Sequence, residues 1–373
     1  MKDMEPKEVA ADNLFEKISS LIEESRRKVK TAVNLAMVYT YYEIGRYIVE
    51  YEQNGQYRAA YGKQVLATLS THLTTRFGKG WSVDTLENCR AFFRSYSISE
   101  TPSRKSPGKD GFPKLRNNTD NSETAIRISV QSPEFHLSWS HYLVLIGVRN
   151  PDARRFYEIE TEKQNWSVRQ LSRQVGSSLY ERLALSRDKD AVMRLSEEGQ
   201  TIEKSSDIIK DPLTLEFLGL TPDTAYSESN LEKAIISKMQ QFLLELGKGF
   251  LFEARQKRFT FDEEHFYVDL VFYNRLLQCY VLIDLKTDKL THQDLGQMQM
   301  YVNYYDRYVK QDFEKPTVGI LLCKRKNNAL VELTLPKDTN IYATEYALYL
   351  PDKKELQQKL ESWIEEFHDN EKR

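Results

Sequence analysis

Three residues of this 373-residue chain combine types and spacing suited to hydrolytic chemistry: Asp269, Asp284 and Lys286. The run Val281-Leu282-Ile283 reads as a buried strand, yet it leads straight into Asp284-Leu285-Lys286 and so carries two opposite charges at its end. The preceding apolar segment, HFYVDLVFY, holds Asp269. In a hairpin turning through Asn274 to Leu277, Asp269 stands opposite Leu282, and period-two alternation places Asp269, Leu282, Asp284 and Lys286 on one face. The two acids are then diagonal neighbours, roughly 7–8 Å apart between backbone positions, near enough to share one cation.

Two carboxylates buried without a partner would repel and cost several kcal/mol. Lys286 supplies one positive charge. Mg²⁺ is the natural second, because it takes oxygen ligands and keeps waters for a substrate phosphate. Such a site could lower the pKa of a bound water or stabilise a pentacovalent phosphate, with Lys286 orienting or activating the water and offsetting charge. A plain salt bridge at a strand end is the competing explanation. The same acid-x-Lys spacing occurs at Glu5 to Lys7 and Asp352 to Lys354, both in polar surroundings. From pattern alone both explanations stand.

Residues 229–324 must position these groups. Ser229 to Glu232 fits a capping box opening the helix LEKAIISKMQQFLLELG, which Gly247 and Gly249 end. RQKRFTF, HFYVDLVFY and QCYVLIDLKT follow as strands joined by the connections DEE and NRLL, then the helix THQDLGQMQMYVNYYDRYVKQ and the strand PTVGILLCK. A strand, a crossover helix and another strand imply a parallel pair. The order is α, β, β, β, α, β, with a further strand near NIYATEYALYL and a terminal helix from Lys354 to Phe367.

The first 187 residues read as helical by periodicity, including a helix, turn, helix over Leu66 to Phe93 in which Ser82 caps the second helix. Residues 97–124 are rich in proline and polar residues, as a disordered loop is. Residues 188–228, with DPLTLEFLGLTP, read as a connecting segment, which leaves 229–373 as the second domain. The chain is 40% hydrophobic and 29% charged with a net charge of −2, so nothing global draws it to nucleic acid or membrane. Cys89, Cys279 and Cys323 are too widely spaced for a disulfide framework or a thiolate zinc site. No apolar run is long enough to span a bilayer and the first residues lack a signal-peptide core, so a cytoplasmic protein without a membrane partner is expected.

With the elements placed, the spacing of Asp269, Asp284-Leu285-Lys286 and the following helix resembles the PD-(D/E)XK nuclease superfamily. ELGKGFLFEARQKRF, FYVDLVFYNRLLQCYVLIDLK, GQMQMYV, PTVGILLCK and ATEYALYLP are similar to the C-terminal domain of the YhcG-type nuclease family. YEIGRYIVE, YGKQVLATLSTHLTTRFGKGWS, LSWSHY and NWSVRQLSRQ are similar to its N-terminal domain. The resemblance implies an α+β chain with a helix-turn-helix or winged-helix-like N-terminal domain and a restriction-endonuclease-like C-terminal domain. It further implies Asp269, Asp284 and the Leu285 carbonyl as ligands of Mg²⁺ or Mn²⁺, with Lys286 catalytic. Gln297 enters as a catalytic residue and Tyr301 as a nucleic-acid-binding one, matching a QxxxY motif that follows the lysine in RecB-like members. Leu295, Met298, Val302, Tyr305 and Val309 form the stripe that packs on the sheet, and Gln297 stands about 120° from its centre, towards DNA or a neighbouring domain. Glu245 and Glu253 read as solvated and His292 as a cap or surface residue. A homodimer, or a partner in a restriction or repair complex, is a family-level expectation.

Nucleic-acid binding needs Lys and Arg gathered on one surface. Arg169 and Arg173, four apart on one helical face beside Gln170 and Gln174, are the candidates, and a solvated face is the alternative. On the second helix of the helix-turn-helix segment, Arg90 and Arg94 favour a phosphate-facing surface while Asp84 and Glu87 oppose it. The leading expectation is a metal-dependent deoxyribonuclease. The alternatives are a non-cleaving nucleic-acid-binding or complex-assembly protein on the same fold, and a DNA-binding regulator whose C-terminal domain dimerises.

Overall fold

The computed structural model describes residues 32–52, 59–97, 133–185, 189–220, 226–336, 339–350 and most of 352–360, besides positions 19, 21 and 23. The loop expected at 97–124 lies outside the described residues apart from its first position, as does the terminal helix beyond 360. The chain divides into two compact units, Met1–Arg154 with Thr161–Val168, and Arg155–Glu160 with Arg169–Arg373.

The first unit contains α1 (32–52), α2 (Ala59–Phe77), α3 (Val83–Tyr96), α4 (Trp139–Leu145) and both ends of α5 (Pro151–Gln164). Ser82 caps α3 as its sequence position suggests, its side chain accepting from the Thr85 N–H. Phe92 is the centre of an aromatic core, with the rings of Tyr42, Phe135, Trp139 and Tyr142 at 5.8, 4.9, 5.4 and 5.0 Å. Arg90 and Arg94 both turn to Glu52, at 2.8 and 2.9 Å, so the charges that favoured phosphate on α3 are partly neutralised at home.

The second unit is built on a six-stranded mixed sheet in the order β1-β6-β5-β4-β3-β2. Its strands are β1 (Leu213–Thr214), β2 (Phe250–Phe261), β3 (Glu264–Asn274), β4 (Cys279–Lys289), β5 (Val318–Arg325) and β6 (Ile341–Ala347). The pairs β2–β3 and β3–β4 are antiparallel, whereas β4–β5, β5–β6 and β6–β1 are parallel. The helices of this unit are α6 (Val168–Gly176), α7 (Leu179–Leu185), α8 (Lys189–Glu198), α9 (Glu228–Ser237), α10 (Met239–Leu246), α11 (His292–Tyr308) and α12 (Asn328–Thr334), with Val168 itself counted in the first unit.

The two sheet faces have separate cores. Leu231 and Ile235 of α9 and Phe242 and Leu246 of α10 pack with Leu270, Phe272, Val281, Ile283 and Leu285. Leu295, Met298, Tyr301, Val302 and Tyr305 of α11 pack with Val271, Leu282, Leu321 and Cys323 on the other face. A side chain at Gly319 would put its Cβ 2.7 Å from the Met298 sulfur and 2.9 Å from Val302, so only glycine lets α11 settle this closely on β5.

Four local differences from the sequence reading have physical causes. The N-cap of α9 is Ser227, whose hydroxyl accepts from Asn230 N–H, rather than Ser229 with a Glu232 capping box; Glu232 is buried and engaged elsewhere. The expected single helix breaks at Lys238, whose backbone leaves the helical region. The segment 189–220 is part of the second unit, because β1 within it adds to the sheet edge beside β6. Helices α6 and α7, expected in the N-terminal domain, also lie almost wholly in that unit, tied to it through ion pairs at Glu245.

Candidate active site

The β3–β4 hairpin sets the register of the acids. Its loop has four residues, closed by Asn274 paired with Cys279, and the Asn274 side chain accepts the N–H groups of Leu276 and Leu277 while Gln278 takes a left-handed conformation. The expected loop had two. Val271 therefore faces Leu282, and the last ladder pair is Leu270–Ile283. Continuing that register sets Asp269 level with Asp284 rather than diagonal to it. The shift is two residues, so the alternation of faces along β4 is kept.

Beyond Ile283 the ladder ends, and the Leu285 N–H, freed from strand pairing on this side, donates to Asp269 Oδ2 at 2.8 Å. Leu285 itself points into the core under α9 and α10. Asp284 is 3% exposed. Its Oδ2 lies 2.8 Å from the Lys286 ammonium, but that oxygen has no donor aligned for a hydrogen bond. Burial and the Asp269 carboxylate push the Asp284 carboxyl up to about 7, although Lys286 pulls the other way. Burial alone would lower the Lys286 pKa. The Asp284 carboxylate outweighs it, helped by Glu228 and Asp294, and the ammonium is pushed up to about 12.

The starts of two helices close the site. Glu228, the first residue of α9, has Oε1 at 3.9 Å from Lys286 Nζ, and Asp294, in the first turn of α11, has Oδ1 at 3.7 Å. Burial raises the Glu228 pKa, and the Asp269 charge adds to the rise. Asp294 forms a capping box with Thr291, which accounts for its fixed position beside the lysine. Gln256 on β2 donates to Asp269 Oδ1 and to Glu232 Oε2, each at 2.8 Å. A cavity of about 380 Å³ opens here, lined by Glu228, Glu232, Lys233, Arg255, Gln256 and Asp269 among others.

The remaining site candidates fare differently. Gln297 is exposed and donates to the Tyr301 hydroxyl rather than to Asp269, Asp284 or Lys286. Tyr301, expected to face nucleic acid, is 1% exposed in the core under α11, edge-on to Phe259. Burial, with the Asp284 charge behind it, pushes its hydroxyl up to about 12. Helical geometry explains the correction: Tyr301 lies between Met298 and Val302 on the packing stripe. Arg169 is exposed. Arg173, the other expected nucleic-acid contact, has its guanidinium committed to Glu216 at 3.0 Å, Glu245 at 3.1 Å and the Thr214 carbonyl.

Glu245 is fully buried rather than solvated. Its carboxylate takes Arg182 at 2.7 Å and accepts the Thr214 N–H. Burial would raise its pKa, but Arg182, Lys210 and Arg173 hold it down at about 2. This network serves packing, at a distance in sequence from the site. Glu253 is exposed, as expected, with Lys257 at 3.5 Å.

Sequence reasoning missed Glu228, Glu232, Gln256 and Asp294. Asp294 was legible as the partner of Thr291 in a capping box. Gln256 becomes visible only with the β2–β3 register, which no local pattern fixes. Among the described residues no group of three or more His, Cys, Asp or Glu side chains is placed to hold a metal ion. Asp269, Asp284 and a backbone carbonyl nevertheless make a hard oxygen donor set, and the buried Asp284 oxygen without an aligned donor suits a dication that keeps several waters. No described helix is long and apolar enough to cross a membrane.

A helical unit followed by a mixed sheet that brings an acid, an acid-x-Lys strand end and flanking helix starts together defines a PD-(D/E)XK-type arrangement. Residues 206–361 match the YhcG PDDEXK nuclease domain and residues 17–182 the DUF1016 N-terminal domain. "Putative nuclease YhcG" of Escherichia coli (strain K12) is 39% identical over 347 residues, covering 92% of each chain. The chain belongs to the YhcG nuclease family. Two solved structures are also similar: a repair endonuclease from Pyrococcus abyssi (18% identity, 35% of this chain, TM-score 0.23) and an EndoMS–dsDNA complex (17% identity, 36% of this chain, TM-score 0.24). The match spans 50% of each of those two chains.

Proposed function

We propose that this protein is a metal-dependent nuclease that hydrolyses phosphodiester bonds in DNA at the end of β4. The observation that carries the reading is the convergence of Asp269, anchored to the Leu285 N–H, with the buried Asp284 and the Lys286 ammonium in a member of this family. Asp269, Asp284 and the Leu285 carbonyl would hold Mg²⁺ or Mn²⁺, which supplies positive charge against the charge that develops on the phosphate.

Lys286 acts as a cation. Its pKa is pushed away from neutrality, so it keeps its protons and donates hydrogen bonds to an attacking water or a phosphate oxygen, orienting the first and offsetting the charge on the second. Asp284 takes the complementary role of keeping the ammonium in place. Lys289 and Arg325, paired across β4 and β5 just beyond Lys286, are exposed and suit contacts with flanking phosphates, with Arg169 a further candidate.

The test is cleavage of duplex and single-stranded DNA by the full chain with Mg²⁺ or Mn²⁺. Wild type is expected to cleave, and folded Asp284→Ala and Lys286→Ala variants to lose at least about a hundredfold in rate, as removal of one charge-stabilising group does. Salt-sensitive binding without turnover in the wild type would replace this reading with the non-cleaving one.

A further inference from the structure

We infer that Gln256 is a positioning residue that fixes the Asp269 carboxylate in its cation-binding orientation. The inference rests on the metal-dependent reading above and names how that site is held.

Gln256 occupies β2 with φ +46°, a left-handed conformation uncommon for a residue with a side chain and more so within a strand. The β2–β3 ladder pairs Arg255 with Leu270 and Lys257 with Val268, and skips 256 and 269. The interruption falls where the site acid lies. The Gln256 amide spends its two hydrogens there, one on Asp269 Oδ1 and one on Glu232 Oε2, both at 2.8 Å. Asp269 Oδ2 is meanwhile held by the Leu285 N–H at 2.8 Å.

Each Asp269 oxygen thus accepts one hydrogen bond, and each keeps a lone pair for a cation. The carboxylate cannot turn without breaking one of them. Glu232 is 7% exposed and sits on α9, so the amide is itself anchored to a rigid element. A neutral donor is required in this position: a carboxylate at 256 would face two others, and a lysine would compete with the cation for Asp269. Groups that orient a metal ligand in this way typically matter about as much as 10–100-fold in metal affinity.

The experiment is calorimetric titration of the full chain with Mn²⁺ alone, for wild type, Gln256→Gly, Asp269→Asn and the double variant. Glycine accepts the left-handed backbone and deletes only the amide. Gln256→Gly is expected to keep the wild-type metal-free melting temperature within a few degrees and to bind Mn²⁺ roughly 10–100-fold more weakly. Added to Asp269→Asn it is expected to cause no further loss, because the amide acts through Asp269. If the glycine variant does not fold, Gln256→Asn, whose amide stops one carbon short, is read by the same criteria. Unchanged Mn²⁺ affinity in a folded variant, or an equal further loss in the Asp269→Asn background, would overturn the inference while leaving the nuclease reading intact. A wild type that binds no Mn²⁺ would overturn both.

Discussion

The Asp269 carboxylate accepts the backbone N–H of Leu285 at 2.8 Å, at the point where strand pairing between β3 and β4 stops. One side chain thus satisfies the backbone of the strand that carries the other two site residues, and the same contact fixes the spacing of Asp269 from Asp284. Stability and chemistry are separable here. Asp269→Ala leaves a part-buried N–H without its acceptor and is expected to lose about 1–3 kcal/mol in urea unfolding. Asp269→Asn keeps an acceptor and is expected to stay within about 1 kcal/mol of wild type while losing cleavage.

The raised Asp284 pKa sets a pH dependence. Its folded value of about 7 lies above the ordinary carboxyl value of 3.8, so its contribution to stability is fully present below pH 3.8 and is lost as pH rises through 7. The loss is on the order of a few kcal/mol. Asp284→Asn carries no charge to bury. In thermal melts without metal, the variant is expected to gain on wild type from pH 4 to pH 8, with most of the gain complete by pH 7 or so. A constant difference across that range would show that Asp284 titrates normally.

The parts of the site that are local in sequence were legible. The charged end of β4, the acid on β3 and the packing stripe of α11 follow from alternation and helical period, and Leu295, Met298, Val302 and Tyr305 are buried on that stripe. What depends on a loop or on distant elements was not. Two extra loop residues moved Asp269 from beside Leu282 to the level of Asp284. Arg173 read as a nucleic-acid contact and Glu245 as solvated, each on its own helix, yet they pair across 72 positions of sequence, and only tertiary packing brings such charges together. Tyr301 carried a motif assignment that overrode its place on the apolar stripe.

The network around Glu245 gives a test of that correction. Glu245→Ala leaves Arg182, itself 2% exposed, without its counter-charge and is expected to cost about 3–5 kcal/mol in urea unfolding. Arg173→Ala is expected to lower stability while leaving the salt dependence of DNA affinity unchanged. A slope reduced by about one charge would return Arg173 to the nucleic-acid surface.

Close packing of α11 on β5 predicts that Gly319→Ala is destabilising. The added Cβ would meet the Met298 and Val302 side chains inside 3 Å, and the overpacking is expected to cost about 1–3 kcal/mol in the same unfolding assay. Pairing it with Met298→Ala, which makes room, is expected to cost less than the sum of the two single changes.

Anomalous diffraction from Mn²⁺-soaked crystals of the full chain tests the central claim most directly. A manganese peak is expected between Asp269 and Asp284, with an oxygen from each and the Leu285 carbonyl at roughly 2.0–2.3 Å and waters completing the shell. An empty site at saturating Mn²⁺, or manganese bound only away from both carboxylates, would contradict it.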